Sequence, residues 1–163
     1  MKSSLLRTDK ELLRIYNCHF ETVYRVCFMY MKNKYDTEDM VQSTFVKLMN
    51  SKKEFTNTEH EKAWLIRTAI NTCKDHYRGR WSKTIPIEQM ADVTVEQPFE
   101  IDETLDKVFA LPSKYKISIY LYYYEGYTTI EIARMLNKKA STIRGHLYKG
   151  RSLLRMEMEG DIE

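Results

Sequence analysis

The residues best suited to chemistry lie near the carboxyl end, where residues 138–155 include six Lys or Arg, one His and no Asp or Glu. Basic side chains bind phosphates, and small polar side chains read base edges. A helix face that is merely solvated usually mixes both signs of charge. The stretch is therefore predicted to bind a nucleic acid, which is recognition rather than catalysis.

Two short helices joined by a tight polar turn are predicted to position this basic stretch. Thr128 and Glu131 form a capping box that starts the first helix, and residues 137–139 interrupt its apolar spacing. The inward stripe of the second helix is Ala140, Ile143, Leu147, Gly150 and Leu154. Its outward face is Ser141, Thr142, Gly145, Tyr148, Lys149 and Ser152, flanked by Arg144, Arg151 and Arg155. The pattern is typical of a helix-turn-helix that enters a DNA major groove; the alternative is an ordinary helical hairpin.

The net charge of +3 over 163 residues hides an uneven distribution. Residues 82–103 carry six acidic residues and one Lys, a net charge of −5, so the remainder carries +8. Two basic blocks around an acidic connector indicate a polyanionic partner that is contacted at both ends.

Cysteine usage and hydropathy suggest a protein of the reducing cytoplasm. Cys18, Cys27 and Cys73 are odd in number and irregularly spaced, so we expect buried free thiols and no disulfide framework. Cys73 and His76 have no second closely spaced Cys/His pair, so no metal or cofactor is expected. The sequence shows neither a membrane-spanning apolar run nor a signal peptide, and no membrane contact is expected.

The amino-terminal half is predicted to contain three helices. The first runs from about residue 9, with Asp9 as its cap, to about residue 31, and the second starts at Asp36 or Thr37. The inward stripe of the second helix is Met40, Val41, Thr44, Phe45 and Leu48, and its other side presents Asp36, Asp39, Gln42 and Val46. Val46 among polar residues could anchor a protein partner, although a single exposed valine needs no explanation.

The third helix, predicted from about residue 59 to 77 after a loop at residues 51–59, carries two stripes. The buried stripe is Ala63, Ile66, Ile70, Cys73 and Tyr77; beside it lie His60, Trp64, Arg67, Asn71, Lys74 and Arg78. Basic side chains, an amide and an aromatic ring on one face are suited to binding unpaired nucleic acid. The alternative is a surface helix in which Trp64 is partly buried.

A second group of helices follows residues 82–101, which contain Pro86 and Pro98 and are predicted to be an acidic linker. A short helix from Asp102 to Ala110 is followed by another from Ser113 to Glu125 that stops at Gly126, and the tyrosines at 120 and 122–124 are assigned to core packing. The predicted fold is all-α, with small helical domains at residues 1–81 and 102–163.

With these elements in place, the chain resembles the extracytoplasmic-function group of bacterial RNA polymerase sigma factors. The resemblance rests on DTEDMVQSTFVKL at residues 36–48, KAWLIRTAINTCKDHYR at residues 62–78 and LPSKYKISIYLYYYEGYTTIEIARML at residues 111–136, followed by the helix-turn-helix. It implies that residues 1–81 form sigma region 2, that residues 102–163 form region 4, and that the protein is not an enzyme.

The resemblance also assigns roles to the surfaces. Core-polymerase contacts, to the clamp coiled coil of the largest subunit, fall on Asp36, Asp39, Gln42 and Val46. Contacts with the melted non-template strand of the minus-10 element fall on His60, Trp64, Arg67, Asn71, Lys74 and Arg78, with residues 51–60 as a base-holding loop. Contacts with the duplex minus-35 element fall on Lys138, Ser141, Thr142, Arg144, Tyr148 and Lys149. An anti-sigma factor is a further expected partner.

The sequence departs from the family pattern at three positions of the helix-turn-helix. Lys139 stands where a Ser-like cap is common, Asn137 where Gly is common, and Gly145 where a longer residue often reaches DNA. The promoter sequence therefore does not carry over from relatives.

Two other functions were weighed against this one. A stand-alone helix-turn-helix regulator would explain the carboxyl-terminal half but leave the surfaces at residues 36–46 and 60–78 unused. A nuclease or deaminase would need clustered metal ligands, and Asp36, Glu38 and Asp39 at a helix start are better suited to the helix dipole and to partner contacts.

Overall fold

The computed structural model describes residues 7–81 and 102–160, and within these ranges every regular element is an α-helix. The chain divides into two compact units, Met1–Glu96 and Gln97–Glu163. The predicted all-α architecture of two small helical domains is confirmed. The predicted linker at residues 82–101 lies outside the described residues, so the boundaries at 81 and 102 stay predictions.

The described residues of the first unit form three helices that pack against one another: α1 (Asp9–Met31), α2 (Lys34–Asn50) and α3 (Thr58–Trp81). Their shared core is fully buried and includes Ile15, Val23, Leu48, Leu65, Ile66 and Ile70. Because the apolar stripes of all three helices face this core, the polar stripes of α2 and α3 are left on the surface.

Two helix starts differ from the predicted ones. Thr8, not Asp9, caps α1, because its Oγ1 accepts a hydrogen bond from the Glu11 N–H at 3.1 Å. Helix α2 begins at Lys34, because the Oδ1 atom of Asn33 accepts the N–H of Asp36 at 2.9 Å. Asparagine is a strong N-cap. The predicted start at residue 36 or 37 was wrong because Lys34 and Tyr35, the first residues of the helix, are exposed and lie outside its buried stripe.

Between residues 102 and 160, the described part of the second unit, there are four helices: α4 (Glu103–Phe109), α5 (Ser113–Tyr123), α6 (Thr129–Leu136) and α7 (Ala140–Gly160). The predicted capping box is present at the start of α6, where Thr128 and Glu131 exchange hydrogen bonds of 3.2 Å. Gly126, which ends the segment after α5, has φ of 76°, a conformation that favours glycine.

Two assignments to the core were wrong in part. Tyr120 is fully buried, but Tyr122 and Tyr123 are exposed, because Tyr120 and Leu121 take the buried side of the last turn of α5 and the next two residues point away from it. Cys27 and Cys73 are buried free thiols, as predicted, whereas Cys18 is exposed. The hydrogen bond with the Cys73 thiol, together with burial, raises the pKa of Cys27 well above its ordinary value, so this thiol is unreactive.

Candidate nucleic-acid and protein interfaces

Helix α7 presents the predicted basic face to solvent. Ile143, Leu147 and Gly150 are buried against α5 and α6. The predicted contact residues on the opposite side are all exposed: Ser141, Thr142, Arg144, Tyr148 and Lys149, with Lys138 in the preceding turn. Tyr148 has 73% of its surface accessible. Such a surface can meet phosphates and base edges together.

The turn before α7 is tight because Asn137 adopts the left-handed conformation, with φ of 55°. Asparagine tolerates this region better than most residues. The N–H of Lys138 donates to the carbonyl of Ala133 at 2.9 Å and closes the turn. The departure from glycine at position 137 is therefore accommodated, and α7 follows α6 as in a helix-turn-helix.

The part of α7 from Ala140 to Arg155 carries basic side chains and no acidic ones. Burial lowers the pKa of His146, and the charges of Lys114 and Lys138 lower it further, so this side chain is neutral at pH 7. Arg151 is held by the hydroxyl of Tyr123, which accepts a hydrogen bond from Nη1 at 3.1 Å. Tyr123, at the exposed end of α5, thus orients the guanidinium group of Arg151 beside the basic face of α7.

On α3 the second predicted stripe also lies at the surface. Arg67, Asn71 and Arg78 are exposed, and His60, Trp64 and Lys74 are partly exposed. The buried stripe behind them includes Ile66, Ile70 and Cys73. Arg78 forms a loose ion pair with Asp75 at 3.6 Å, which is weak because both groups are solvated. The stripe is a continuous polar and basic surface that includes the rings of His60 and Trp64.

Phe55 organises the loop before α3, and the sequence-based site included it only as part of the loop at residues 51–60. Its ring meets His60 edge-on at 5.4 Å between centroids and Trp64 at 5.7 Å. The partial burial of Trp64 expected from sequence is therefore present, with Phe55 as the partner. The detectable signal was a lone aromatic residue in a polar loop.

A buried ion cluster fixes the start of α3. Glu61 is 6% exposed, accepts a hydrogen bond from Arg14 Nη2 at 2.6 Å, and lies 3.1 Å from Nε2 of His19. Burial alone would raise the pKa of Glu61, but the hydrogen bonds from Arg14 and His19 outweigh it and hold that pKa below the ordinary value. The cluster ties the first turn of α3 to α1.

Helix α2 presents the third surface. Asp39, Gln42 and Val46 are exposed, and Val46 keeps 44% of its surface accessible. Asp36 is only partly exposed because its Oδ2 atom accepts a hydrogen bond from Asn33 Nδ2 at 3.0 Å. Asp36 therefore has a local structural role at the helix start, whereas the other three are free to meet a partner.

Within residues 7–81 and 102–160, no group of three or more His, Cys, Asp or Glu side chains is placed to hold a metal ion. The helices of those same ranges include none with the length and apolar run needed for a membrane span.

Comparison with known protein families gives two matches in the order of the two units. The model for sigma-70 region 2 matches residues 15–83, and that for sigma-70 region 4 matches residues 103–154. Together they span about three quarters of the chain.

Individual relatives agree with these matches. The RNA polymerase sigma factor SigV of Bacillus subtilis is 29% identical over 150 residues, covering 86% of each chain. The ECF RNA polymerase sigma factor SigW of the same organism is 25% identical over 162 residues, covering 88% of this chain and 87% of SigW.

Two solved structures share the fold. The sigma factor RpoE of Bartonella quintana, solved with the anti-sigma factor NepR, superposes with a TM-score of 0.66 at 19% identity and covers 92% of this chain and 95% of its own. CnrH, solved with the cytosolic domain of CnrY, gives a TM-score of 0.62 at 18% identity and covers 94% of this chain and 91% of its own.

Proposed function

The chain belongs to the sigma-70 family of RNA polymerase sigma factors, in its extracytoplasmic-function group, and directs promoter-specific transcription initiation, and we propose how its surfaces divide that work. Unit 1 docks on core polymerase and holds the melted minus-10 strand, and unit 2 reads the duplex minus-35 element. The observation that carries the proposal is the presence of an exposed basic face on each unit, on α3 and on α7.

The α7 face enters the major groove of the minus-35 element. Its residues are exposed and acid-free, while the opposite stripe is buried. Arg144, Tyr148 and Lys149 contact bases and phosphates, and Ser141, Thr142 and Lys138 lie near the backbone. The missing side chain at Gly145, where a Cβ atom would meet nothing within 4 Å, leaves a gap in this surface, which changes the base contacts relative to other family members.

The α3 face holds the opened non-template strand of the minus-10 element. Arg67, Lys74 and Arg78 neutralise phosphates, and Asn71 reads a base edge. Trp64 and His60, together with the loop that contains Phe55, offer rings for stacking. Extruding a base costs a few kcal/mol, and stacking returns about 1–3 kcal/mol per base. Binding energy alone performs the opening, so the protein catalyses no reaction itself.

The α2 face docks on the clamp coiled coil of the largest polymerase subunit. Val46 supplies an apolar centre, and Asp39 and Gln42 supply the polar rim, with Asp36 at its edge. An interaction with core polymerase places the protein in the cytoplasm. An anti-sigma factor is a second proposed partner. RpoE, which shares this fold, was solved with an anti-sigma factor, and CnrH, which also shares it, was solved with the cytosolic domain of CnrY.

The test is reconstitution with bacterial core RNA polymerase. The purified protein is expected to co-elute with core enzyme and to support initiation from a specific promoter, with permanganate-reactive thymines marking the bubble. If it instead does not bind core enzyme and binds duplex DNA alone with nanomolar affinity, the proposed roles of the surfaces are wrong and the protein is a stand-alone regulator.

A further inference from the structure

Arg7, which precedes α1, reaches across the first unit to the end of α2. Its Nη1 atom donates to the carbonyl oxygen of Leu48 at 3.1 Å and to that of Ser51 at 2.8 Å, and its Nη2 atom donates to the carbonyl oxygen of Lys53. The last carbonyls of a helix have no partner within the helix, and a cation there also meets the negative end of the helix dipole. Arg7 therefore fixes the point where α2 gives way to the loop.

The same guanidinium group covers the middle of that loop. Its Cζ atom lies 4.9 Å from the centroid of the Phe55 ring, which is a cation–π contact. The Phe55 ring in turn contacts His60 and Trp64. One side chain thus connects the end of α2, the loop and two residues of the proposed minus-10 surface.

We propose that Arg7 is a positioning residue for minus-10 recognition, which sets the loop at residues 51–57 before DNA arrives. The inference rests on the proposed function of the α3 face. Residues 51–55 have no regular hydrogen-bonding pattern, and an unrestrained loop would have to be ordered when a base enters it. A loop already held at Ser51, Lys53 and Phe55 avoids that loss of conformational entropy and binds the strand more tightly.

The geometry requires arginine in particular. A planar guanidinium can donate to several carbonyls while its face rests on an aromatic ring, whereas the ammonium group of lysine is a compact point charge. Arg7→Lys is therefore expected to keep only part of the loop positioning that Arg7→Gln abolishes. Lys10→Gln is the matched control, because it removes one positive charge from the exposed first turn of α1 without touching the loop.

The first measurement is made without DNA. In a Trp81→Phe background, Trp64 is the only remaining tryptophan, and its fluorescence reports the Phe55 contact. Arg7→Gln is expected to increase acrylamide quenching of Trp64, Arg7→Lys to increase it less, and Lys10→Gln to leave it unchanged. Unchanged quenching in Arg7→Gln would overturn the proposal.

The second measurement uses holoenzyme and a pool of short single-stranded DNA of random sequence, from which bound molecules are sequenced. Wild type is expected to enrich one motif. Arg7→Gln should bind that motif about tenfold more weakly and lose base preference at the position held by the loop, while core-polymerase affinity and preferences at the other positions remain. An unaltered motif, or an equal loss of core and DNA binding, would refute a positioning role.

The two measurements separate the failure of this inference from failure of the proposed function. If Trp64 quenching responds to Arg7→Gln but wild-type holoenzyme enriches no single-stranded motif, the loop is positioned by Arg7 and the DNA assignment of the α3 face is wrong. In that case the proposal for minus-10 recognition is also overturned.

Discussion

Gly150 lies directly against Ile119, so that a Cβ atom built on Gly150 would stand 2.7 Å from Cγ1 of Ile119. Ile119 is almost fully buried, and its β-branched side chain has little rotamer freedom in a helix. The absence of a side chain at position 150 thus allows α7 to approach α5 closely. This contact sets how the proposed DNA-reading helix sits on its unit.

Gly150→Ala is expected to destabilise the second unit by about 1–2 kcal/mol, because overpacking against Ile119 outweighs the higher helix propensity of alanine. Gly145→Ala in the same helix is the control. No atom lies within 4 Å of a Cβ atom there, so the change should stabilise α7 by about 0.5–1 kcal/mol. Hydrogen exchange of α5 and α7 amides measures both. Equal effects of the two substitutions would contradict the steric argument.

Replacing the buried carboxylate Glu61 by Gln should lower the free energy of unfolding of the first unit by about 1–3 kcal/mol at pH 7, since Arg14 and His19 lose a charged acceptor. The half-exposed Arg14 keeps the loss below that of a fully buried pair. Urea unfolding followed by tryptophan fluorescence measures it. Glu59→Gln, which removes an exposed partner of Lys62, is the control and should change little.

The effect of Glu61 should depend on pH in a defined direction. Its pKa in the folded protein is below the ordinary value. That ordinary value, about 4.3, applies to the unfolded chain. The ionised carboxylate therefore stabilises the fold fully above the unfolded pKa, and this contribution is lost as pH falls through the folded pKa. The difference in the free energy of unfolding between wild type and Glu61→Gln should become smaller at acidic pH. A difference that grew below pH 4 would contradict this assignment.

The features that could be predicted from the sequence are those with a local pattern. The buried stripe of α2, including Met40 and Phe45, follows the helical period, and the capping box of Thr128 and Glu131 is a short motif. Each is specified by residues within a few positions of one another. For the same reason the sequence correctly predicted which faces of α3 and α7 lie at the surface.

The features that could not be predicted depend on contacts between distant residues. Arg7 reaches Leu48, 41 positions away, and His19 meets Glu61, 42 positions away. No periodicity encodes such pairs, since either side chain alone looks like an ordinary polar residue. The exposure of Tyr122 was missed because the side of α5 that is buried is set by its packing against α4, α6 and α7, which the run of tyrosines does not encode.

Asp39→Arg is expected to weaken the affinity for core polymerase at least about tenfold, because it reverses a charge on the proposed docking face of α2. Glu21→Arg is the matched control, since Glu21 is also an exposed carboxylate but lies on α1, outside the proposed docking face. Binding of labelled protein to core enzyme measures both. If the two variants bind alike, Asp39 is not a contact.

Asn71→Ala should reduce promoter opening about tenfold while leaving core binding intact, because an exposed amide that reads a base edge is removed. Permanganate reactivity of bubble thymines in the holoenzyme complex reports the opening. Asn17→Ala removes an exposed amide from α1 and serves as the control. Normal reactivity in Asn71→Ala would remove this residue from the minus-10 surface.

Lys149→Ala should weaken binding to the duplex upstream element roughly fivefold, because a phosphate contact on the exposed face of α7 is lost. Loss of one such contact should also make the slope of log K against log salt shallower by about 0.9. Lys107→Ala, on α4 of the same unit, removes an equal charge outside the face and should change neither quantity. A base-reading role for Lys149 would instead change sequence preference while leaving the salt slope unaltered, so the titration in salt separates the two kinds of contact.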